Sequence, residues 1–195
     1  MRINDEKELI NVYDEYGRLL YAKERKQVHM QGLRHRVVHL WFSDGECLYF
    51  QQRCADKEAF PLGFDITCAG HIDPDETALS ACLRECEEEL GISAAEADLQ
   101  YLGTYYEEVM ISCGVDRELA DVYLCNQIPH LWKPNEEVVT IGKIKITEIS
   151  DCLTHKKAHC TFFDLLNHQE IKLRKHQLFL HEPAYYQWLL KAISG

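Results

Sequence analysis

Four of the five residues from 85 to 89 are glutamates, in the run Leu83-Arg84-Glu85-Cys86-Glu87-Glu88-Glu89-Leu90-Gly91. On a helix, Glu85 lies three and four positions before Glu88 and Glu89, so these three carboxylates project to one side. Like charges at that spacing cost roughly 0.2–0.5 kcal/mol per pair. They also stand near the C-terminal end of the helix, where its dipole disfavours anions. A hard divalent cation reverses the sign of both penalties, because carboxylate oxygens are its preferred ligands. A solvated acidic face is the alternative reading of the run taken alone.

The elements that must present these groups are legible around them. Leu79, Cys82, Leu83, Cys86 and Leu90 recur at three- and four-residue spacing and predict a helix over 77–90. Asp73-Pro74-Asp75-Glu76 resembles a capping box with proline at the first helical position, Thr77 is a competing cap, and Gly91 closes the helix. Upstream, 8–13 and 19–21 read as strands about a turn at Asp14–Arg18. Residues 37–52 read as a hairpin turning at Ser43-Asp44-Gly45-Glu46. Cys54 to Phe64 is a loop, and Asp65 to Ala69 a short strand reaching Gly70. Further strands are expected at 99–110, 119–127 and 138–146, with Asp116 and Glu118 in a loop before the second. Residues 149–166 and 183–193 read as helices, with Phe162, Phe163, Leu165 and Leu166, then Tyr185, Trp188, Leu189 and Leu190, as apolar faces. This order implies an α/β (α+β) arrangement of layers around one sheet.

The chain of 195 residues is long enough for one domain, 1–195, with a sizeable core. Its net charge of −11 speaks against coating nucleic acid or an anionic membrane, whose phosphates it would repel, although a local basic site could survive. Nine cysteines, an odd number without a Cys-x-x-Cys pair, fit neither a zinc ribbon nor a small disulfide framework. Residues 1–8 contain no apolar core of a signal peptide, and no run approaches the ~18 apolar residues of a membrane span. The expectation is a soluble protein of a reducing cytoplasm.

Gly70, five residues, Glu76, seven residues, Arg84-Glu85, then Glu88-Glu89-x-Gly91-Ile92 resembles the Nudix box at eight positions of a 23-residue signature. Cys86 stands where that family usually has an aliphatic residue. The resemblance covers about residues 5–150 and implies a Nudix fold: a mixed β-sheet sandwiched between α-helices, here with a helical C-terminal extension over 151–195. It implies cleavage of a diphosphate by water attack with one to three Mg²⁺ or Mn²⁺ ions. Carried onto this chain, Glu85, Glu88 and Glu89 would be metal ligands and Gly70 would contribute its carbonyl. Glu76 and Arg84 would brace loop against helix. Glu88, or a carboxylate from a later loop, would take the water's proton.

Leu33-Arg-His35-Arg-Val-Val-His39-Leu-Trp41, then Gln52-Arg53-Cys-Ala-Asp-Lys57, then Thr67-Cys-Ala-Gly-His71 is similar to the branch containing isopentenyl-diphosphate isomerase. That similarity implies His35 and His71 as metal ligands and Arg53 and Lys57 as diphosphate contacts. Glu118 stands where the isomerase places its acid, and Glu118 or Asp116 could equally be the hydrolase's base or a further ligand. The isomerase's catalytic cysteine falls at Ala69, with Cys68 one residue away and so on the opposite face of a strand. The isomerase also lacks the glutamates matching Glu85 and Glu88. Hydrolysis of a small nucleoside- or isoprenoid-type diphosphate is therefore preferred to allylic isomerisation, and both to a silent binding module. His29, His39, His155, His159 and His176 show no partner in the sequence, and Tyr101, Tyr105 and Tyr106 read as sheet packing. The C-terminal 45 residues, with His181-Glu-Pro-Ala-Tyr185-Tyr186-x-Trp188, suit a cap over the pocket, a homodimer surface or packing onto the core.

Overall fold

The computed structural model describes residues 8–57, 59–111 and 114–194. Cys113 and the N-terminal residues 1–7 lie outside them, so the reading of the N-terminus and the ends of the 1–195 domain span do too. In chain order come β1 (Leu9–Tyr13), β2 (Leu19–Glu24), α1 (Arg25–Met30), β3 (Arg34–Phe42), β4 (Cys47–Arg53), β5 (Phe64–Ile66), β6 (Cys68–His71) and α2 (Ala78–Leu90). These are followed by β7 (Leu99–Ile111), β8 (Gly114–Cys125), β9 (Val138–Lys145), α3 (Ile146–Leu153), β10 (His159–Asp164), β11 (Gln169–Arg174), α4 (Lys175–Leu178) and α5 (Pro183–Ser194).

The strands form two sheets rather than the single one expected. The first runs β2-β1-β3-β8-β7, with β6 also on β3; the second runs β11-β10-β9-β4-β5. β3 and β8 are parallel along the whole length of β3, so β1 and β6 share its other edge. The cause lies in β3 itself. From Val37 to Phe42 every residue is buried and all but His39 are apolar, the pattern of a strand covered on both faces. Val37 and Trp41 face the core between the sheets, while Val38, Leu40 and Phe42 pack toward α2.

The expected 37–52 hairpin is therefore two strands that part company. Beyond one bridge between Ser43 and Leu48, β3 stays in the first sheet and β4 enters the second. The strand expected over 65–69 divides in the same way at Thr67, with β5 in one sheet and β6 in the other. The Thr67 hydroxyl accepts from the Phe42 amide at 3.2 Å and donates to the Tyr49 carbonyl at 2.6 Å, tying both departures together.

The helix expected over 149–166 is also corrected. α3 stops at Leu153, His155 takes a left-handed φ of 62°, and residues 159–164 form a strand that buries Cys160, Phe162 and Asp164 at period two. With β11, the region after 150 thus adds two strands to the second sheet as well as helices. Tyr185, Tyr186 and Leu189 of α5 are fully buried in the inter-sheet core. Among the described residues, no helix is long and apolar enough to cross a membrane.

α2 starts at Thr77 rather than at Asp73. The Thr77 hydroxyl accepts from the Ser80 amide at 3.1 Å, and the Ser80 hydroxyl accepts from the Thr77 amide at 3.0 Å. Gly91 ends the helix at φ 64°. Thr77→Ala should lower stability by about 1 kcal/mol. A urea midpoint matching that of the native chain would contradict this assignment of the cap.

Candidate metal centre

β6 is the pivot of the site, because its four residues alternate between two faces. Cys68 points into the core under α2. Burial pushes its thiol well above the ordinary range, so it is neither nucleophile nor part of the opposite face. Gly70 shares the α2 side. A Cβ there would stand 2.2 Å from the Glu85 carboxyl carbon, so only glycine lets that carboxylate lie against the strand. Glu89, also buried, is met by the Ala69 amide at 3.5 Å and the Gln51 side-chain amide at 3.3 Å. Lys57 Nζ lies 3.9 Å from Glu89 and is paired with Glu137.

Arg84 organises the helix side of the group. Its Nε and Nη2 donate to both oxygens of Glu76 at 3.0 and 2.9 Å, and Nη2 also donates to the His71 carbonyl at 3.0 Å. Nη1 reaches Glu85 at 2.6 Å and Glu88 at 3.2 Å. The expected loop-to-helix brace is present, and it binds two of the carboxylates as well. One guanidinium does not neutralise them. Burial, then the charge of Glu89, pushes the Glu85 carboxyl up to about 7 despite Arg84. Glu89 is raised by burial in the same way. Glu88 stands at the solvent rim, with its side chain 36% exposed.

Gly70→Ala should leave the fold intact, because the clashing atoms are the movable end of a side chain, while displacing the Glu85 carboxylate by about 1 Å. A misplacement of that size costs on the order of 100-fold in rate. The check is kcat/KM beside a thermal melt. Unchanged catalysis would show that Glu85 does not act from this position.

A second group gathers on the other face of β6. The rings of His29, His35 and His71 lie 5.1–5.4 Å apart centre to centre. Their ligand atoms, and separately those of His35, Asp116 and Glu118, lie within 4.8 Å of one another. His35 and His71 are thus brought together as expected, but His29, which the sequence leaves without a partner, joins them from α1. Asp116 and Glu118 lie within β8 rather than in a loop. The parallel register places Glu118 opposite His35.

The state of these groups suits a cation. His35 Nδ1 donates to the Leu33 carbonyl at 3.2 Å, leaving the Nε2 lone pair free in the neutral ring. Burial and the neighbouring histidines hold His29 near 3 and His35 near 4, so both are neutral at physiological pH. His29 Nε2, His35 Nε2 and Asp116 Oδ1 are buried without a hydrogen-bond partner, and His35 Nε2 lies 3.4 Å from Asp116 Oδ1. Burial, with Glu118 beside it, raises Asp116. Such orphaned donor atoms cost free energy that a bound cation would remove. Mixed nitrogen and oxygen donors fit Mn²⁺-like ions, whereas the all-carboxylate group on α2 fits Mg²⁺.

A third network borders both groups. His39, also without a partner in the sequence, has Nδ1 3.0 Å from the Tyr185 hydroxyl and Nε2 3.6 Å from Glu118. His181 sits between Glu107 at 2.6 Å and Asp65 at 3.0 Å. Arg53 is occupied: it donates to the Ala59 carbonyl at 3.0 Å and to Asp65 at 2.8 Å, so the diphosphate role expected of it would require those bonds to open. Of the three tyrosines, Tyr105 packs on Tyr185 and Trp188, whereas Tyr101 and Tyr106 are exposed. The sequence signal that could have found His29 is its six-residue separation from His35; for His39 and His181 there is none.

Known proteins share both fold and sequence with this chain. A family model described as NUDIX domain matches residues 30–164. An uncharacterized Nudix hydrolase of Clostridium acetobutylicum is 32% identical over 202 residues, covering 96% of this chain and 98% of that protein. Nudix hydrolase 3 of Arabidopsis thaliana is 36% identical over 107 residues, 53% of this chain and 14% of that protein. Among solved structures, a Deinococcus radiodurans protein has a TM-score of 0.58 at 18% identity, covering 76% of this chain and 88% of that one. A MutT/nudix family protein of Enterococcus faecalis has a TM-score of 0.54 at 14% identity, covering 80% and 60%. These structural likenesses are of fold.

Proposed function

We propose, from the premise that this chain belongs to the NUDIX domain family and is a Nudix hydrolase, that it cleaves the diphosphate linkage of a small nucleoside- or isoprenoid-type diphosphate by water attack. The observation that carries this reading is the packing of Glu85 into the Cβ-sized space at Gly70, beside buried Glu89 and braced by Arg84 and Glu76. Glu85, Glu88, Glu89 and the Gly70 carbonyl would hold Mg²⁺ or Mn²⁺. His29, His35, His71, Asp116 and Glu118 would hold a further ion. Bound there, such ions neutralise phosphate charge and acidify water.

The chain's own residues do the rest. Glu88 stands at the solvent rim, where it takes a proton from the attacking water. Lys57, near Glu89 and held by Glu137, supplies a cation that a phosphate can claim in their place. Arg53 joins it if a diphosphate draws it from Asp65. Buried neutral His29 and His35 offer lone pairs without adding positive charge.

A second reading, allylic isomerisation, draws on the histidine–carboxylate group beside β6 and on the similarity of 33–71 to the isomerase branch. Ala69 weighs against it, because the face that would carry the cysteine has a methyl group. A diphosphate panel with Mg²⁺ or Mn²⁺, read for phosphate release and double-bond migration, separates the two. Metal-dependent release lost in Glu88→Gln supports hydrolysis. Migration without release overturns it, and neither activity points to a binding module. We further place the protein in a reducing cytoplasm, in keeping with the eight free described cysteines. With a net charge of −11 it has no bulk nucleic-acid partner. Whether it is a homodimer is read by light scattering.

A further inference from the structure

The end of α3 and the passage from β11 into α4 bring together basic side chains that the metal centre does not use. Residues 155–159 and 174–176 hold four Lys and Arg, three His and no acid, in a chain whose net charge is −11. His159 stands opposite Arg174 in the β10–β11 register, and both are exposed because Cys160 and Leu173 take the core side. Lys175 Nζ lies 2.9 Å from His155 Nδ1, which joins α4 to the end of α3. Between these elements is a cleft of about 600 Å³, lined by Lys157, Arg174, Lys175, His155, His159 and His176, a volume within the range of small-molecule sites. Among the described residues no carboxylate lines it. Lys157 is paired with Glu148 at 3.1 Å, whereas Arg174 and Lys175 have no acidic partner among those residues. Arg36, Arg53 and Arg84, by contrast, are each held by a carboxylate, at 2.6, 2.8 and 2.9 Å.

We propose that this cleft is a second ligand site, separate from the metal centre, which takes the phosphoryl group of a small molecule. Unneutralised cations held side by side repel one another, and an anion with several acceptor oxygens removes that repulsion. Guanidinium, ammonium and imidazole N–H groups are the donors that match a phosphoryl group, and the Arg174 fork can bind two of its oxygens at once. A long polyanion suits the place less well, because it would run beyond the cleft along a chain of net negative charge. The cleft lies at the β11 edge of the second sheet, opposite the β5 edge from which the chain enters β6 and the metal centre. Its occupation therefore needs no metal and does not depend on the hydrolase reading.

The test uses the full chain stripped of metal by a chelating resin, so that the carboxylates of α2 hold no ion that could itself bind phosphate. The imidazole carbon–proton NMR signals of His155, His159 and His176 are followed at constant pH and ionic strength. Inorganic phosphate and methyl phosphate are titrated separately. Saturable shifts of these signals are expected. Tighter binding of inorganic phosphate assigns the site to the free ion, and equal or tighter binding of methyl phosphate assigns it to a phosphate ester. Arg174→Gln and Lys175→Gln should each weaken binding about 10-fold, the loss of one charge-assisted hydrogen bond. Lys23→Gln, the same change of charge on β2 of the first sheet, should leave binding unchanged. Neither Arg174 nor Lys175 is buried, and a thermal melt checks that both variants fold. Shifts that never saturate overturn the proposal on the native protein alone. Equal weakening by Lys23→Gln also overturns it, leaving only general attraction. So does a short single-stranded RNA that shifts the same signals at far lower concentration than either phosphate, which assigns the cleft to a polyanion.

Discussion

Glu85→Gln is expected to stabilise the metal-free protein and to abolish its metal-dependent hydrolysis, two effects of opposite sign from one substitution. In the native state burial and Glu89 hold this carboxyl near 7, against an ordinary value of 4.5. The unfolded chain therefore ionises first, and native stability is lost as pH rises from 4.5 to 7, by roughly 3 kcal/mol. Glutamine keeps the shape and a hydrogen bond to Arg84 but carries no charge, so that loss disappears and the variant should melt several degrees higher at pH 8. Adding Mg²⁺ should raise the melting temperature of the native chain by mass action and that of the variant far less. Catalysis should drop by more than about 100-fold, the upper bound for losing a group that merely supports a ligand. If the metal-free variant is instead the less stable protein, the glutamates serve the Arg84 ion-pair network and not a cation.

The second large effect is on the fold. Both ring nitrogens of His181 meet carboxylates, Glu107 and Asp65, whose side chains are buried. Burial opposes the charge on His181, but the bonds to Asp65 and Glu107 outweigh it and push its pKa up to about 10. Its contribution is therefore fully present below pH 6.5 and is lost as pH rises through 10. His181→Leu leaves two carboxylates short of a partner in the core, a change that costs about 3–5 kcal/mol. The clamp joins Asp65 of the second sheet to Glu107 of the first, so its loss should also loosen Arg53. Chemical denaturation at pH 6 and pH 10 measures this. A variant as stable as the native chain at pH 6 refutes the clamp, and the gap should narrow at pH 10, where His181 is giving up its proton.

How much could be read in advance follows from distance along the chain. The spacing of Glu85, Glu88 and Glu89 is a property of one helix turn, and the apolar stripe from Leu79 to Leu90 places that turn without reference to anything else. Gly70, Glu76 and Arg84 were marked by the resemblance to the Nudix box rather than by this period. The strands β1, β4, β7 and β9 were legible from alternation and their bounding turns. Their distribution between two sheets was not, because Ser43 and Thr67 look like a hairpin turn and a strand interior, yet each marks where the chain leaves one sheet for the other. Polar side chains at Asp116 and Glu118 hid the start of β8. In a strand such residues read as loop until the partner group they face is known.

The sequence by itself determined the glutamate group on α2, since it depends on periodicity within one element, while Gly70 was marked by the resemblance to the Nudix box. Only the tertiary structure added His29 and showed how the residues marked by resemblance come together. His29, His35, His71 and Glu118 come from α1, β3, β6 and β8, and they meet because β3 and β8 pair in parallel with His35 opposite Glu118. His39 and Tyr185 are 146 residues apart. Contacts of that separation are written in sheet register and in the packing of α5 between the sheets, and neither leaves a period in the sequence.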